Sequence, residues 1–158
     1  MAFHEEGVGR GRSAMQNRSD KERRVREGRA HAALVYDGSN AVGWCQFGPV
    51  DELPRIKLKK DYLSGLDRLP DWRITCFFVD RDYRGKGVAS VALDGALSEI
   101  ARLGGGVVES YPEDVECRRT SGSFLYNATT SIFERQGFQR ARKLGMNHWV
   151  VTKVIDRS

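Results

Sequence analysis

The apolar positions of the chain alternate between short unbroken runs and helical spacings. Residues 74–79 (ITCFFV) form a continuous apolar run broken only by Thr75, which predicts a strand buried on both faces. A glycine-rich loop follows. Beyond it, Val88, Val91, Ala92, Ala96, Ile100 and Leu103 recur at three- and four-residue spacing, the core face of a helix that starts near Gly87. Arg102 and then Gly104 to Gly106 end that helix, a cation in the last turn followed by glycine. Upstream, the runs 31–36 and 41–47 flank Asp37-Gly38-Ser39-Asn40, a hairpin signal. Residues 50–72 hold Pro54 and Pro70 around IKLKKDYLSGL, read as a short helix or irregular excursion whose Lys57, Lys59 and Lys60 form a solvated face or recruit substrate.

Downstream, residues 107–111 (VVESY) predict a strand stopped by Pro112, and 112–123 (PEDVECRRTSGS) a polar loop. A helix is expected over 124–136, burying Leu125, Ala128, Ile132 and Phe133 and stopping at Gly137. A second hairpin joins 138–144 to 148–155 around Gly145-Met146-Asn147. At the front, residues 1–19 lack periodicity and read as loop or disorder. Ser19 is taken as the N-cap of a short polar helix ending at Gly28. The order (α)ββ(α)βαβαββ implies an α/β fold, one mixed sheet with helices on its faces, in a single domain spanning 1–158.

Length supports this picture, since 158 residues bury a substantial core. No run approaches the ~20 apolar residues of a membrane span, and the N-terminus is polar, so a cytoplasmic protein is expected. Cys45, Cys76 and Cys117 are far apart and lack metal-ligand spacing, as do His4, His31 and His148. Reduced thiols and no metal are therefore expected. Net charge is +5, from 26 basic and 21 acidic residues. Eight of the basic residues fall between Arg10 and Arg29. A nucleic-acid reader would interleave such a patch with aromatics or carry a reader motif, and neither is present, so a solvated segment is the simpler reading.

The chemistry points to the loop Arg84-Gly85-Lys86-Gly87-Val88-Ala89. Between a buried strand and a helix, glycines let a ligand approach the backbone, and the first helix amides face an anion. Arg81, Arg84 and Lys86 add positive charge. The spacing is not a P-loop, which needs an earlier glycine and a following Ser or Thr. It is not a dinucleotide fingerprint either, because Ser90 stands where the third glycine belongs.

What the loop matches is R-x-x-G-x-A, Arg84 to Ala89. It resembles the acyl-CoA pyrophosphate loop of the GNAT superfamily of N-acyltransferases. The stretch S-I-F-E-R-Q-G-F, residues 131–138, resembles the signature that ends that fold's last helix. The resemblance covers residues 31–155 and implies a mostly antiparallel sheet; the family's usual N-terminal elements are shortened here. It further implies an acetyl-CoA-dependent N-acetyltransferase of a small-molecule or peptide amine, with acetyl-CoA as cosubstrate.

The same resemblance assigns roles. Arg84, Gly85, Lys86, Gly87, Val88, Ala89 and Ser90 would hold the pyrophosphate. A bulge at Phe77, Phe78 and Val79 would turn backbone groups to the thioester, with the Val79 amide on the oxyanion. Glu109, alone among apolar strand neighbours, would be the base, its pKa raised by desolvation; it could equally pair with a nearby arginine. Asp80 is the reserve. Phe133 stands where many members have a tyrosine acid. Tyr126, two turns earlier, could replace it or simply pack, and Asn127 could bond the pantetheine. Glu113, Asp114 and Glu116 could attract an amine or form a solvated acidic loop. The C-terminal strands resemble edges through which such domains pair, making a homodimer an option. Two other functions stay open: an acyl-CoA-binding module without catalysis, and nucleic-acid binding through the arginine-rich front.

Overall fold

The computed structural model describes Glu5 and residues 11–114 and 128–158. In chain order the elements are α1 (Ala14–Arg26), β1 (His31–Asp37), β2 (Asn40–Pro49), α2 (Lys59–Ser64), β3 (Trp72–Val79), a 3-10 turn (Arg81–Tyr83), α3 (Val88–Arg102), β4 (Gly106–Ser110), α4 (Thr130–Arg135), β5 (Gln139–Leu144) and β6 (His148–Ile155). The six strands form one sheet in the order β1-β2-β3-β4-β6-β5. Among the described strands only the β3–β4 pair is parallel. This is the mixed α/β sheet expected from the element order, and the mostly antiparallel arrangement that the resemblance implied. No helix among the described residues is long and apolar enough to cross a membrane.

Alternation along the strands puts a core on each face. On one face Cys45, Phe47, Ile74, Phe77, Val108 and Val151 meet α3 and α4. On the other, Tyr62 of α2 packs with Tyr111, Leu144 and Val150. Helix α3 buries Val88, Ala92, Leu93, Ala96, Leu97 and Ile100, and each large apolar side chain taken fully out of water contributes about 1.5–3 kcal/mol. The expected face was partly misplaced, because Val91 and Leu103 are exposed and Leu93 and Leu97 take their places. The helix end is as expected. The Gly105 amide donates to the Ile100 carbonyl and the Gly104 amide to that of Ala101, satisfying two terminal carbonyls.

Other boundaries moved for identifiable reasons. Helix α1 begins earlier than expected, with Ser13 rather than Ser19 as N-cap. Ser13 accepts from the Gln16 amide while the Gln16 side chain accepts from the Ser13 amide, a reciprocal cap. Arg23 and Arg26 pair with Glu27 and Glu22 one turn away, and Arg12 with Asp20, so these charges form a solvated helix face. The last helix was expected to include Ala128. Instead Ala128 has a positive φ of 59° and α4 begins only at Thr130. Residues 124–127 of the expected helix, with Leu125, lie outside the described residues. The expectation that strand 74–79 is buried on both faces holds through Phe77 and fails at Phe78, which is exposed.

One glycine fixes how closely the sheet meets α3. A Cβ on Gly43 would lie 2.5 Å from Val88 Cγ1 and 3.0 Å from the Phe78 carbonyl oxygen. We therefore expect Gly43→Ala to push the first turn of α3 off the sheet, at about 1–3 kcal/mol. Thermal melting checks this, and an unchanged midpoint would contradict the packing described.

Candidate active site

Strands β3 and β4 pair over three positions only: Trp72 with Val108, Arg73 with Glu109, and Ile74 with Ser110. Beyond Ile74 the strands part. Strand β3 runs on to Val79, while the chain after β4 bends away and Glu113 bridges to Thr129 on one side and His148 on the other. The Glu113 amide donates to the Ala128 carbonyl and the Thr130 amide to the Glu113 carbonyl. These bonds tie Ala128, with its positive φ, and the extended Thr129 to Glu113, and explain the late start of α4. The gap between Phe77–Val79 and Ala128–Thr129 opens into a cleft of about 580 Å³.

Among the described residues, the upper half of β3 thus has a strand partner on one side only. Its ladder with β2 alternates bonded and non-bonded pairs. The Asp80 amide donates to the Val42 carbonyl at 2.8 Å, and the register from Val79–Gly43 to Cys76–Gln46 is regular. Counting back, the backbone groups of Phe78 and Cys76 face β2, and those of Phe77 and Val79 face the cleft. A bulge is present, but it lies at Thr75 rather than at Phe77 to Val79. Cys76 stands opposite Gln46 and Ile74 opposite Phe47, leaving Thr75 as the extra residue.

The other end of the cleft is the loop into α3. Gly85 and Gly87 have φ of 74° and 80°, and nothing lies within 4 Å of where their Cβ atoms would be. Gly87 is the N-cap, and no side chain among the described residues caps the helix. The Ser90 and Val91 amides both donate to the Gly87 carbonyl, so those of Val88 and Ala89 are left for a ligand, where the helix dipole favours an anion. Phe77, Phe78, Val79, Arg84, Gly85, Gly87, Val88, Ala89 and Ser90 all line the cleft. The sequence had assigned each of them to the donor. Lys86 does not line it and lies over the Tyr83 ring, 5.3 Å from its centroid. Five lining residues were missed: Ala128, Thr129 and Ile132 on the far wall, and also Tyr83 and Arg135. Tyr83 comes from the turn before the loop, where its hydroxyl donates to Asp37 at 2.6 Å and this bond holds its pKa up. Arg135 comes from α4, three residues after the lining Ile132 and so on the same helix face.

The remaining assigned residues lie elsewhere. Phe133 is fully buried, edge-on to both Phe77 and Phe138, and is not part of the cleft wall. Tyr126, Asn127, Glu116 and Cys117 lie outside the described residues. Asp114 is taken up by Arg140 and the Trp149 indole, and Glu113 is buried. The Cys45 and Cys76 thiols are buried, and burial pushes that of Cys76 up to about 11. Among the described residues, no group of three or more His, Cys, Asp or Glu could hold a metal ion.

Glu109 is buried at the base of the parting strands, facing α2 rather than α3. Its Oε2 accepts from the Tyr62 hydroxyl at 2.8 Å and the Tyr111 hydroxyl at 3.2 Å. Arg73, opposite Glu109 in register, donates to the Tyr62 hydroxyl at 3.4 Å, so the arginine reaches the carboxylate through a tyrosine. Burial raises both phenol pKa values, which keeps them protonated as donors.

Three comparisons bear on this geometry. The profile of the acetyltransferase (GNAT) family matches residues 3–114. A search of curated proteins finds no match. Solved structures share the fold at low identity. A Salmonella typhimurium protein with its cofactor acetyl-CoA has 16% identity and a TM-score of 0.57, over 99% of this chain and 83% of that one. A ribosomal-protein-alanine N-acetyltransferase from Brucella melitensis has 16% identity and a TM-score of 0.56, over 90% and 79%. The ribosomal-protein-S18-alanine N-acetyltransferase from Escherichia coli has 12% identity and a TM-score of 0.53, over 99% and 87%.

The loop geometry yields a test. Gly87→Ala forces a side chain into the left-handed region at about 1–2 kcal/mol and sets a methyl beside the free amides. Affinity for coenzyme A in titration calorimetry should fall at least about tenfold, the effect of losing ~1.4 kcal/mol. Unchanged affinity would contradict the loop's role.

Proposed function

The chain belongs to the acetyltransferase (GNAT) family, whose cosubstrate is acetyl-CoA, and we propose that it acetylates a primary amine of a small molecule or peptide by direct attack. The observation that carries this reading is the pairing of two anion- and carbonyl-facing backbone surfaces across one cleft. The Val88 and Ala89 amides, with Arg84 and Arg135, would hold the pyrophosphate. The cleft-facing backbone of Phe77 and Val79 would take the pantetheine as an added strand, with the Val79 amide donating to the thioester oxygen as it gains charge.

The reaction balances without a further reagent. The amine nitrogen attacks the thioester carbon, the C–S bond breaks, and the products are an amide and a free thiol. The amine proton passes to a base and the departing sulfur takes one up. A thiol of pKa about 8.5 leaves readily as the anion, so this reading needs no dedicated acid. As base we assign Glu109, oriented by Tyr62 and Tyr111. It does not line the cleft, so the proton reaches it through an intervening water or hydroxyl.

That same distance from the cleft favours a second reading, an acyl-CoA-binding module without catalysis. Saturating acetyl-CoA should raise the melting point under either reading; ligand at ~100 times its Kd adds about 2.7 kcal/mol. Only the first predicts thiol release with some member of an amine panel. Under it, Glu109→Gln should slow release by about 10²–10⁴-fold while leaving the melting rise with acetyl-CoA intact. Binding with no turnover for any amine would favour the module.

A further inference from the structure

The bulge at Thr75 has an effect on the side chains as well as on the backbone. Without an extra residue, strict alternation from Ile74, which faces α3, would send Phe77 outward and Phe78 inward. With it, Phe77 turns into the core against Phe133, and Phe78 turns to the opposite face, 38% exposed. In register, Phe78 stands opposite Trp44, and Trp44 opposite Leu34. A row of three apolar side chains therefore crosses β3, β2 and β1 on the sheet face away from α3. The Trp44 and Phe78 rings stack with centroids 6.3 Å apart at 21°. Leu34 is 52% exposed, and Tyr36, on the same side of β1, is 57% exposed.

The row does not stop at the sheet. Phe78 also lines the cleft, and the next residue, Val79, turns its backbone into it. An amine that approaches the thioester position from the face opposite α3 must pass over these rings. Their faces attract an ammonium group, and the row offers apolar surface for whatever the amine is attached to.

We propose that Leu34, Trp44 and Phe78 form the acceptor subsite, and that the acceptor is a primary amine with an apolar or aromatic body lying along this row. The proposal rests on the acetyl-transfer reading above. Continuity with the cleft, through Phe78, is what distinguishes such an acceptor from a second copy of the chain as occupant. The subsite selects for the body of the amine and leaves the donor loop untouched.

The test compares 2-phenylethylamine with 1,4-diaminobutane in wild type, Trp44→Ala and Leu34→Ser. Leu34 is exposed on the edge strand, so its variant folds even if Trp44→Ala does not. Wild type should prefer the aryl amine. The variants should raise its KM about tenfold and about threefold, the pattern of lost ground-state binding, with kcat, diaminobutane KM and acetyl-CoA affinity unchanged. A preference for diaminobutane, or an unchanged aryl-amine KM in both variants, overturns the proposal. So does a dimer in solution that Leu34→Ser dissociates. If acetyl-CoA binds and no amine turns over, the acetyl-transfer reading fails, and the subsite is judged by binding alone. Saturable binding of 2-phenylethylamine to the coenzyme A-loaded protein, lost in Trp44→Ala, supports it, and no saturable binding overturns it.

Discussion

Unpaired strand backbone is costly to bury and must find a partner, and among the described residues one strand is left half without a strand partner. β3 is bonded along its length to β2, yet β4 accompanies it for three positions before turning off. The inner amides and carbonyls of Phe77 and Val79 are consequently presented to a cleft rather than to a neighbouring strand. Much of the molecule is arranged to keep that cleft open. Glu113 draws residues 128–130 away on the far side, Gly43 lets α3 press close beneath, and Phe133 wedges between Phe77 and Phe138.

A single extra residue then sets direction. Thr75 shifts the phase of β3 so that the core receives Phe77 and the opposite face receives Phe78. The two sides of the cleft acquire different characters as a result. Toward α3 lie the free helix amides, two left-handed glycines and the arginines, suited to an anionic donor. On the other face lie the half-buried Trp44 ring and the exposed Phe78 ring and, deeper, a carboxylate held by two tyrosines. A phosphate-rich molecule and an amine would thus enter from opposite sides and meet at the backbone of Val79.

The parts legible in the sequence were those set by local chemistry. The loop from Arg84 to Ala89, the glycine stop at Gly104 to Gly106, and both hairpins follow from periodicity and turn residues, and they stand where expected. The parts that were not legible depend on tertiary contacts. An apolar run such as ITCFFV reads the same whichever face each residue takes, so the bulge at Thr75 left no mark. Val91 and Leu93 satisfy helical spacing equally well, and the sheet chose Leu93. The interruption at Ala128 comes from bonds to Glu113, 15 residues earlier. Other misses had a signal: Ser13 and Gln16 spell out a capping box, passed over because their glycine-rich surroundings suggested disorder. Arg135 lay within a recognised stretch, one turn from Ile132, and its helix face would have placed it at the cleft.

The central claim is that the donor is gripped by backbone on both walls of the cleft. Amide resonances followed during titration of labelled protein with coenzyme A test it most directly. The account predicts that the largest shifts fall on the amides of Phe77, Val79, Val88 and Ala89. Largest shifts on α1 or on the β5–β6 hairpin, with these four amides unmoved, would contradict it.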